Sequence, residues 1–210
     1  LSQDFVSDIA QDGLGFIWFA TNDGLTRYDG RSCVTFRHQP DDSTSLPDNR
    51  ISGLGTDPAG RLWVSTHKGI CYLNPDTRRF HRVRTALPNS PQHAQEKYCS
   101  NLSFDKTGTG WAFTDSFLMR LDVTSFQTDF FRIPCRTKTE CQVFADSKGR
   151  VWVTFAGQHL LRFDTQTRQF TYMRGLDKPN GELRPWPMSV REDSQGTIWN
   201  ADWDQAFYTY

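Results

Sequence analysis

The sequence predicts an all-β fold, a β-propeller of four-stranded antiparallel blades, and three observations carry that prediction. The pattern Asp-x-x-Gly-x-x-Trp occurs five times, at Asp12, Gly15, Trp18; Asp57, Gly60, Trp63; Asp105, Gly108, Trp111; Asp146, Gly149, Trp152; and Asp193, Gly196, Trp199. The Trp-to-Trp steps are 45, 48, 41 and 47 residues, which suits a four-stranded blade rather than the shorter helical or leucine-rich repeats. No segment of helical periodicity interrupts the series. About five blades are expected, in repeats near 1–45, 46–93, 94–139, 140–185 and 186–210.

Each repeat reads as a meander. An alternating segment before the Asp (Phe5 to Ile9, Ile51 to Leu54) suits an innermost strand A. Asp followed by Gly three residues on is a turn signal, because the carboxylate accepts backbone N–H groups ahead of it and Gly tolerates the left-handed conformation. Strand B follows (Phe16 to Phe19, Leu62 to Val64, Val151 to Val153) and is apolar at successive positions, so both of its faces must be covered. A polar turn leads to strand C, which ends at Asp29, Asn74, Asp122 and Asp164, and a short outer strand D lies at Phe36, Phe80, Phe130 and Phe170. Each signature Trp is expected to be buried between neighbouring blades.

Composition narrows the function. The 210 residues hold 24 Lys plus Arg against 24 Asp plus Glu, a balance that disfavours a nucleic-acid surface. No apolar run approaches the roughly 18 residues of a membrane span. The chain opens at Leu1 without a signal segment and reads as a piece of something longer. Five cysteines, Cys33, Cys71, Cys99, Cys135 and Cys141, show no zinc spacing and cannot all pair; Cys135 and Cys141 could close a small loop, and buried thiols are the plainer reading.

The first repeat resembles a known family. Thr21-Asn22-Asp23-Gly24-Leu25-Thr26-Arg27-Tyr28-Asp29-Gly30 after Phe16-Ile17-Trp18-Phe19, with Ser45-Leu46-Pro47-Asp48-Asn49 before the next strand A, is similar to the two-component regulator propeller repeat. The likeness extends to the periplasmic sensor region of hybrid two-component histidine kinases of gut anaerobes. It is strongest in residues 1–80 and weakest in the fifth repeat, where Asn200-Ala201-Asp202-Trp203-Asp204 replaces the usual turn. The resemblance implies two successive seven-bladed propellers, an immunoglobulin-like domain, a membrane span and a kinase, the last three lying outside this sequence. It implies a periplasmic location, an oligosaccharide ligand, the remaining propeller and signalling domains as partners, and a homodimeric whole protein tethered to the membrane through other segments. Seven blades at about 45 residues need about 315 residues. A closed five-bladed ring is the alternative, but its fifth blade would lack an outer strand unless residues before Leu1 supplied one. An open arc is therefore expected, its first and fifth blades presenting flat apolar faces that favour self-association.

The repeated Asp, Gly and Trp residues read as fold, without metal or cofactor, and no catalytic set is visible. In a four-stranded meander the A-to-B and C-to-D turns share one rim, and the B-to-C turns and D-to-A links share the other. The first rim carries the repeated turns and reads as structure. The second carries what varies, and binding residues are expected there: Asn22, Asp23, Arg50, His67, Lys68, Asp115, Ser116, Gln158, His159, Arg184, Trp186, Asp202 and Trp203. An extracytoplasmic sensing module is the leading function. A streptogramin-lyase-like enzyme would place chemistry on rim histidines His67 and His159. A WD-type interaction scaffold has only Trp203-Asp204 in its favour. The Pro-rich stretch from Thr85 to Tyr98 reads as a surface loop.

Overall fold

The segments that alternate, and those apolar on both faces, pair into antiparallel meanders. The computed structural model describes residues 4–83, 99–114, 116–134, 141–155, 159–173, 187–202 and 207–210. Sheet I comprises β1 (Val6–Gln11), β2 (Ile17–Thr21), β3 (Gly24–Tyr28) and β4 (Cys33–Phe36). Sheet II comprises β5 (Ile51–Thr56), β6 (Leu62–Thr66), β7 (Gly69–Leu73) and β8 (Phe80–Val83). Sheet III follows with β9 (Ser103–Phe104), β10 (Thr109–Thr114), β11 (Phe117–Asp122) and β12 (Thr128–Arg132), and sheet IV with β13 (Cys141–Ala145), β14 (Arg150–Phe155), β15 (His159–Asp164) and β16 (Gln169–Tyr172). Sheet V holds β17 (Pro187–Glu192), β18 (Ile198–Asp202) and β19 (Phe207–Thr209). In every sheet, neighbours in sequence are neighbours in space.

The core lies between sheets. Trp18, Leu25, Leu46, Leu54 and Val64 pack sheet I on sheet II, and Trp63, Ile70, Leu102 and Met119 pack II on III. Trp111, Phe113, Val143, Phe155 and Phe163 fill the space between III and IV, and Trp152, Leu160, Val190 and Ile198 that between IV and V. Each signature Trp thus packs against the sheet that follows it, which is why strand B must be apolar on both faces. Trp18, Trp63, Trp111 and Trp152 are no more than 2% exposed. Trp199 is the exception at 43% exposed, and it corrects the expectation that all five are buried. No described residue forms a following sheet against its face.

Among the described residues no buried cluster joins sheet I to sheet V, and apolar Ile9 stands 59% exposed on β1. The five sheets pack one on the next in chain order. Residues 85–98, read from sequence as a loop, lie outside the described residues. Cys135 does too, and with it any pairing to Cys141; Cys71, Cys99 and Cys141 are buried, whereas Cys33 is exposed. Burial pushes the Cys71 thiol up, so it stays protonated and packs as a small apolar group.

Side chains of the innermost strands bond to the backbone of the next blade. Ser7 Oγ donates to the Ile51 carbonyl at 3.1 Å, and Leu54 N–H donates to Asp8 Oδ2 at 2.8 Å. Ser52 Oγ donates to the Cys99 carbonyl. The Asn101 amide both donates to the Val143 carbonyl (2.9 Å) and accepts from the Val143 N–H (3.1 Å). Ser147 N–H donates to Glu192 at 2.7 Å. Close approach is required at these joints: a Cβ on Gly53 would strike the Asn101 backbone, and one on Gly55 the Leu102 carbonyl.

Candidate functional site

The repeated turn explains its own sequence. In all five copies the Asp Oδ1 accepts the backbone N–H two residues on and the one four residues on. Its Oδ2 accepts the indole Nε1–H of the Trp six residues on, at 2.8, 3.0, 3.1, 2.8 and 2.7 Å along the chain. The Gly between them sits at positive φ, from 74° to 88°, where a side chain would be strained. One carboxylate therefore fixes the A-to-B turn and aims the core Trp. At Asp146 burial works to raise the carboxyl, and the Trp152 indole with the Arg150 and Lys148 donors outweighs it, leaving the group below the usual carboxylate range. Among the described residues no group of three or more His, Cys, Asp or Glu is placed to hold a metal ion.

On the B-to-C rim, a threonine closes the first two turns: Thr21 Oγ1 donates to the Gly24 carbonyl and Thr66 Oγ1 to that of Gly69, each at 2.8 Å. Asn22 and Asp23 occupy the first turn, and Asp23 pairs with Arg37 at 2.8 Å; that hydrogen bond lowers the Asp23 carboxyl below its ordinary value. Arg50 pairs with Asp48, and its carbonyl accepts the His67 N–H at 3.1 Å, so Arg50, His67 and Lys68 share one corner of sheet II. The Ser45-to-Asn49 link is pinned there too. Leu46 is fully buried, the Leu46 carbonyl accepts from His38 Nδ1, and Asn49 Oδ1 accepts the His38 N–H at 2.7 Å. His159 and Asp202 lie at the rim ends of β15 and β18. Asp115, Gln158, Arg184, Trp186 and Trp203 lie outside the described residues. The structure thus joins Asp23 to Arg37 on sheet I and gathers Arg50, His67 and Lys68 on sheet II, and the Gly24 N–H donates to the Asn49 carbonyl at 2.8 Å, tying the first turn to the link.

A cleft opens on the other rim, between sheets III and IV. It has a volume of about 380 Å³. Trp111 and Phe131 provide aromatic surface, Lys106, Arg120 and Arg168 provide positive charge, and Thr107, Thr109, Ser147 and Thr165 provide hydroxyls. Asp105 and Asp146 also line it, with their oxygens engaged by the turn donors just described. Sequence reasoning treated this rim as structure alone. The signal that finds the cleft is a comparison of equivalent positions across repeats, because the residues that line it stand at fixed offsets from the signature Asp or from the Asp that ends strand C.

Known proteins resemble the chain in part and as a whole. Residues 1–23 and 45–68 match the two component regulator propeller family. Histidine kinase P4 of Formosa agariphila is 48% identical over 46 residues, covering 22% of this chain and 3% of that protein. The fold superimposes on the extracellular domain assigned to a hybrid two component system of Bacteroides thetaiotaomicron, with a TM-score of 0.76 and 19% identity over 99% of this chain and 30% of that one. It also superimposes on virginiamycin B lyase of Staphylococcus aureus, with a TM-score of 0.68 and 15% identity over 96% of this chain and 68% of the lyase. The chain thus spans 3% of that histidine kinase and under a third of that extracellular domain. Two segments, residues 1–23 and 45–68, thus match the two component regulator propeller family, in a chain that carries the propeller fold through five successive sheets.

Proposed function

We propose that this chain is an extracytoplasmic ligand-sensing module of a hybrid two-component sensor histidine kinase, responding to a glycan breakdown product and signalling to a kinase elsewhere in the same protein. The observation that carries this reading is the coincidence of regulator propeller repeats at residues 1–23 and 45–68 with a whole-chain likeness to an extracellular sensor domain. The match to a histidine kinase over 46 residues points the same way. A ligand signals only by binding one arrangement of the protein better than another, so the ligand would bridge groups that move relative to each other. Polar groups on propeller rims, such as Asp23, Arg37, Arg50 and Lys68, suit hydrogen bonding to sugars. Calorimetry of the complete extracytoplasmic region against an oligosaccharide panel tests it. Folded protein that gives no heat with any member of the panel would end the glycan reading.

The lyase likeness supports a second reading, a lyase-like enzyme with chemistry at rim histidines His67 and His159. Turnover of virginiamycin B that disappears on His67→Ala or His159→Ala would establish it.

A further inference from the structure

The grooves between sheets II and III and between III and IV are built from equivalent positions, and they differ in what fills them. In the II–III groove Arg61, four residues after the signature Asp, lies over the Trp63 ring at 5.6 Å and the Tyr72 ring at 5.4 Å. Tyr72 is the residue cross-strand from Trp63. Phe126, in the C-to-D turn of sheet III, stacks on Tyr72 with centroids 5.5 Å apart and planes 8° apart. Arg61 Nη2 also donates to the Val123 carbonyl at 3.2 Å, which ties the plug to the next sheet. This groove is closed by its own side chains.

In the III–IV groove each plugging residue is replaced. Thr109 stands in place of Arg61, Arg120 is cross-strand from Trp111 where Tyr72 was, and Arg168 holds the turn position of Phe126. The turn itself is unchanged. Arg168 and Phe126 have φ of 57° and 58°, and each donates its N–H to the carbonyl of the Asp that ends strand C, at 2.8 and 2.9 Å. The same backbone therefore presents a guanidinium instead of a ring, and the space left is the cleft of about 380 Å³. Arg168 lies over the Phe131 ring at 5.9 Å, which holds it beside the opening. Arg120 pairs with Asp129, whereas no ion pair among the described residues engages Lys106 or Arg168.

We propose that the III–IV cleft is a binding site for a small organic anion of sugar size, carrying a carboxylate or a sulfate and offering one apolar face to the aromatic floor. Arg168 and Lys106 meet the charge, Phe131, backed by the buried Trp111, takes the apolar face of the ring, and the Thr107, Thr109, Ser147 and Thr165 hydroxyls accept from its hydroxyl groups. The sugar part rests on the sensing function proposed above; the charge and the floor do not. A neutral ligand would leave Lys106 and Arg168 unmatched.

The test is calorimetry on the full chain with four probes: a uronic-acid disaccharide, a 6-sulfated hexose, benzoate as an anion without sugar, and cellobiose as a neutral sugar. The expected result is binding of the uronate, the sulfated sugar or both that weakens as salt is raised, with cellobiose silent. Arg168→Phe restores the plug in a turn that already accepts Phe at the equivalent position, and it should weaken binding about tenfold or more; Arg168→Gln, which keeps the cleft open, should also weaken it. Benzoate binding alone, silence from both sugar anions, cellobiose bound as tightly as the anions, or binding unmoved in Arg168→Phe would each overturn the proposal. Thermal melts of both variants establish that they fold. Sugar-anion binding to this cleft without any effect on the kinase of the whole protein would overturn the signalling function and leave the cleft standing.

Discussion

The Trp63 indole donates to Asp57 Oδ2 at 3.0 Å, with both side chains buried, and the same oxygen takes Arg61 Nε at 2.7 Å. Oδ1 of the same group accepts the Ala59 and Arg61 N–H groups, so one buried carboxylate satisfies four donors. Asp57→Ala strands them together. The expected loss is about 3 to 5 kcal/mol, the scale for removing one partner of a buried pair, read from urea unfolding. A loss under about 1 kcal/mol would show that solvent replaces the carboxylate.

The signature tryptophans are equal in sequence and unequal in packing. Trp63→Ala should cost about 3 to 5 kcal/mol, the range for a buried aromatic. Trp199→Ala, at a side chain 43% exposed, should cost clearly less in this chain. Equal losses in parallel denaturation curves would mean that the outer face of sheet V is covered in solution.

Gly55 meets the Leu102 carbonyl where a Cβ would stand, and the obstacle is backbone. Gly55→Ala is expected to destabilise by about 1 to 3 kcal/mol by forcing β5 away from sheet III. Gly30, with open space around its Cβ position, is the contrasting case, since only its φ of 93° opposes a side chain. A Gly55→Ala melting temperature equal to that of the parent chain would contradict the close approach.

Acid should unfold the chain through its turns. The Ser32, Ser125 and Thr167 N–H groups, chief among several donors, hold Asp29, Asp122 and Asp164 below the ordinary carboxylate range, Asp29 at about 2. Asp146 is lowered as well, its donors overcoming burial. Carboxyls lowered on folding contribute stability above the unfolded value of about 3.9, and that contribution is lost as pH falls through the folded value. Stability should therefore be flat from pH 7 to about 5 and fall below about 4. Asp146→Asn should flatten the fall, as followed by tryptophan fluorescence during acid titration; an unchanged acid limb would exclude Asp146 as a contributor.

The blades were legible because a single carboxylate must reach donors two, four and six residues on, a reach that locks Asp, Gly and Trp into one spacing. The doubly apolar strand B was equally plain, since β6 and β14 are covered on both faces. Trp199 was not legible as exposed: it carries the same Asp-x-x-Gly-x-x-Trp pattern as Trp63, and its burial depends on a sheet that no neighbouring residue encodes. The III–IV cleft was illegible for a related reason. Thr109, Arg120 and Arg168 come from separate elements of two sheets, and each taken alone reads as a surface residue. They acquire meaning only when set against Arg61, Tyr72 and Phe126. Asp23, Arg50, His67 and Lys68 were readable as rim residues from turn position, but the Asp23–Arg37 pair depended on how β4 returns beside the turn.

The side-chain bonds between inner strands give the row of sheets a stiff hub and a compliant perimeter. Sliding one inner strand along the next must stretch Ser7 from Ile51, Asp8 from Leu54, or Asn101 from Val143. Arg82 of β8 donates to the Asp42 and Leu46 carbonyls, whereas among the described residues β4 and β12 make no side-chain hydrogen bond to a neighbouring sheet, so β4 and β12 can tilt with less resistance. A load applied at one blade is then transmitted around the hub as torque instead of being dissipated where it enters, while a molecule lodged between two perimeters acts as a wedge on that hub.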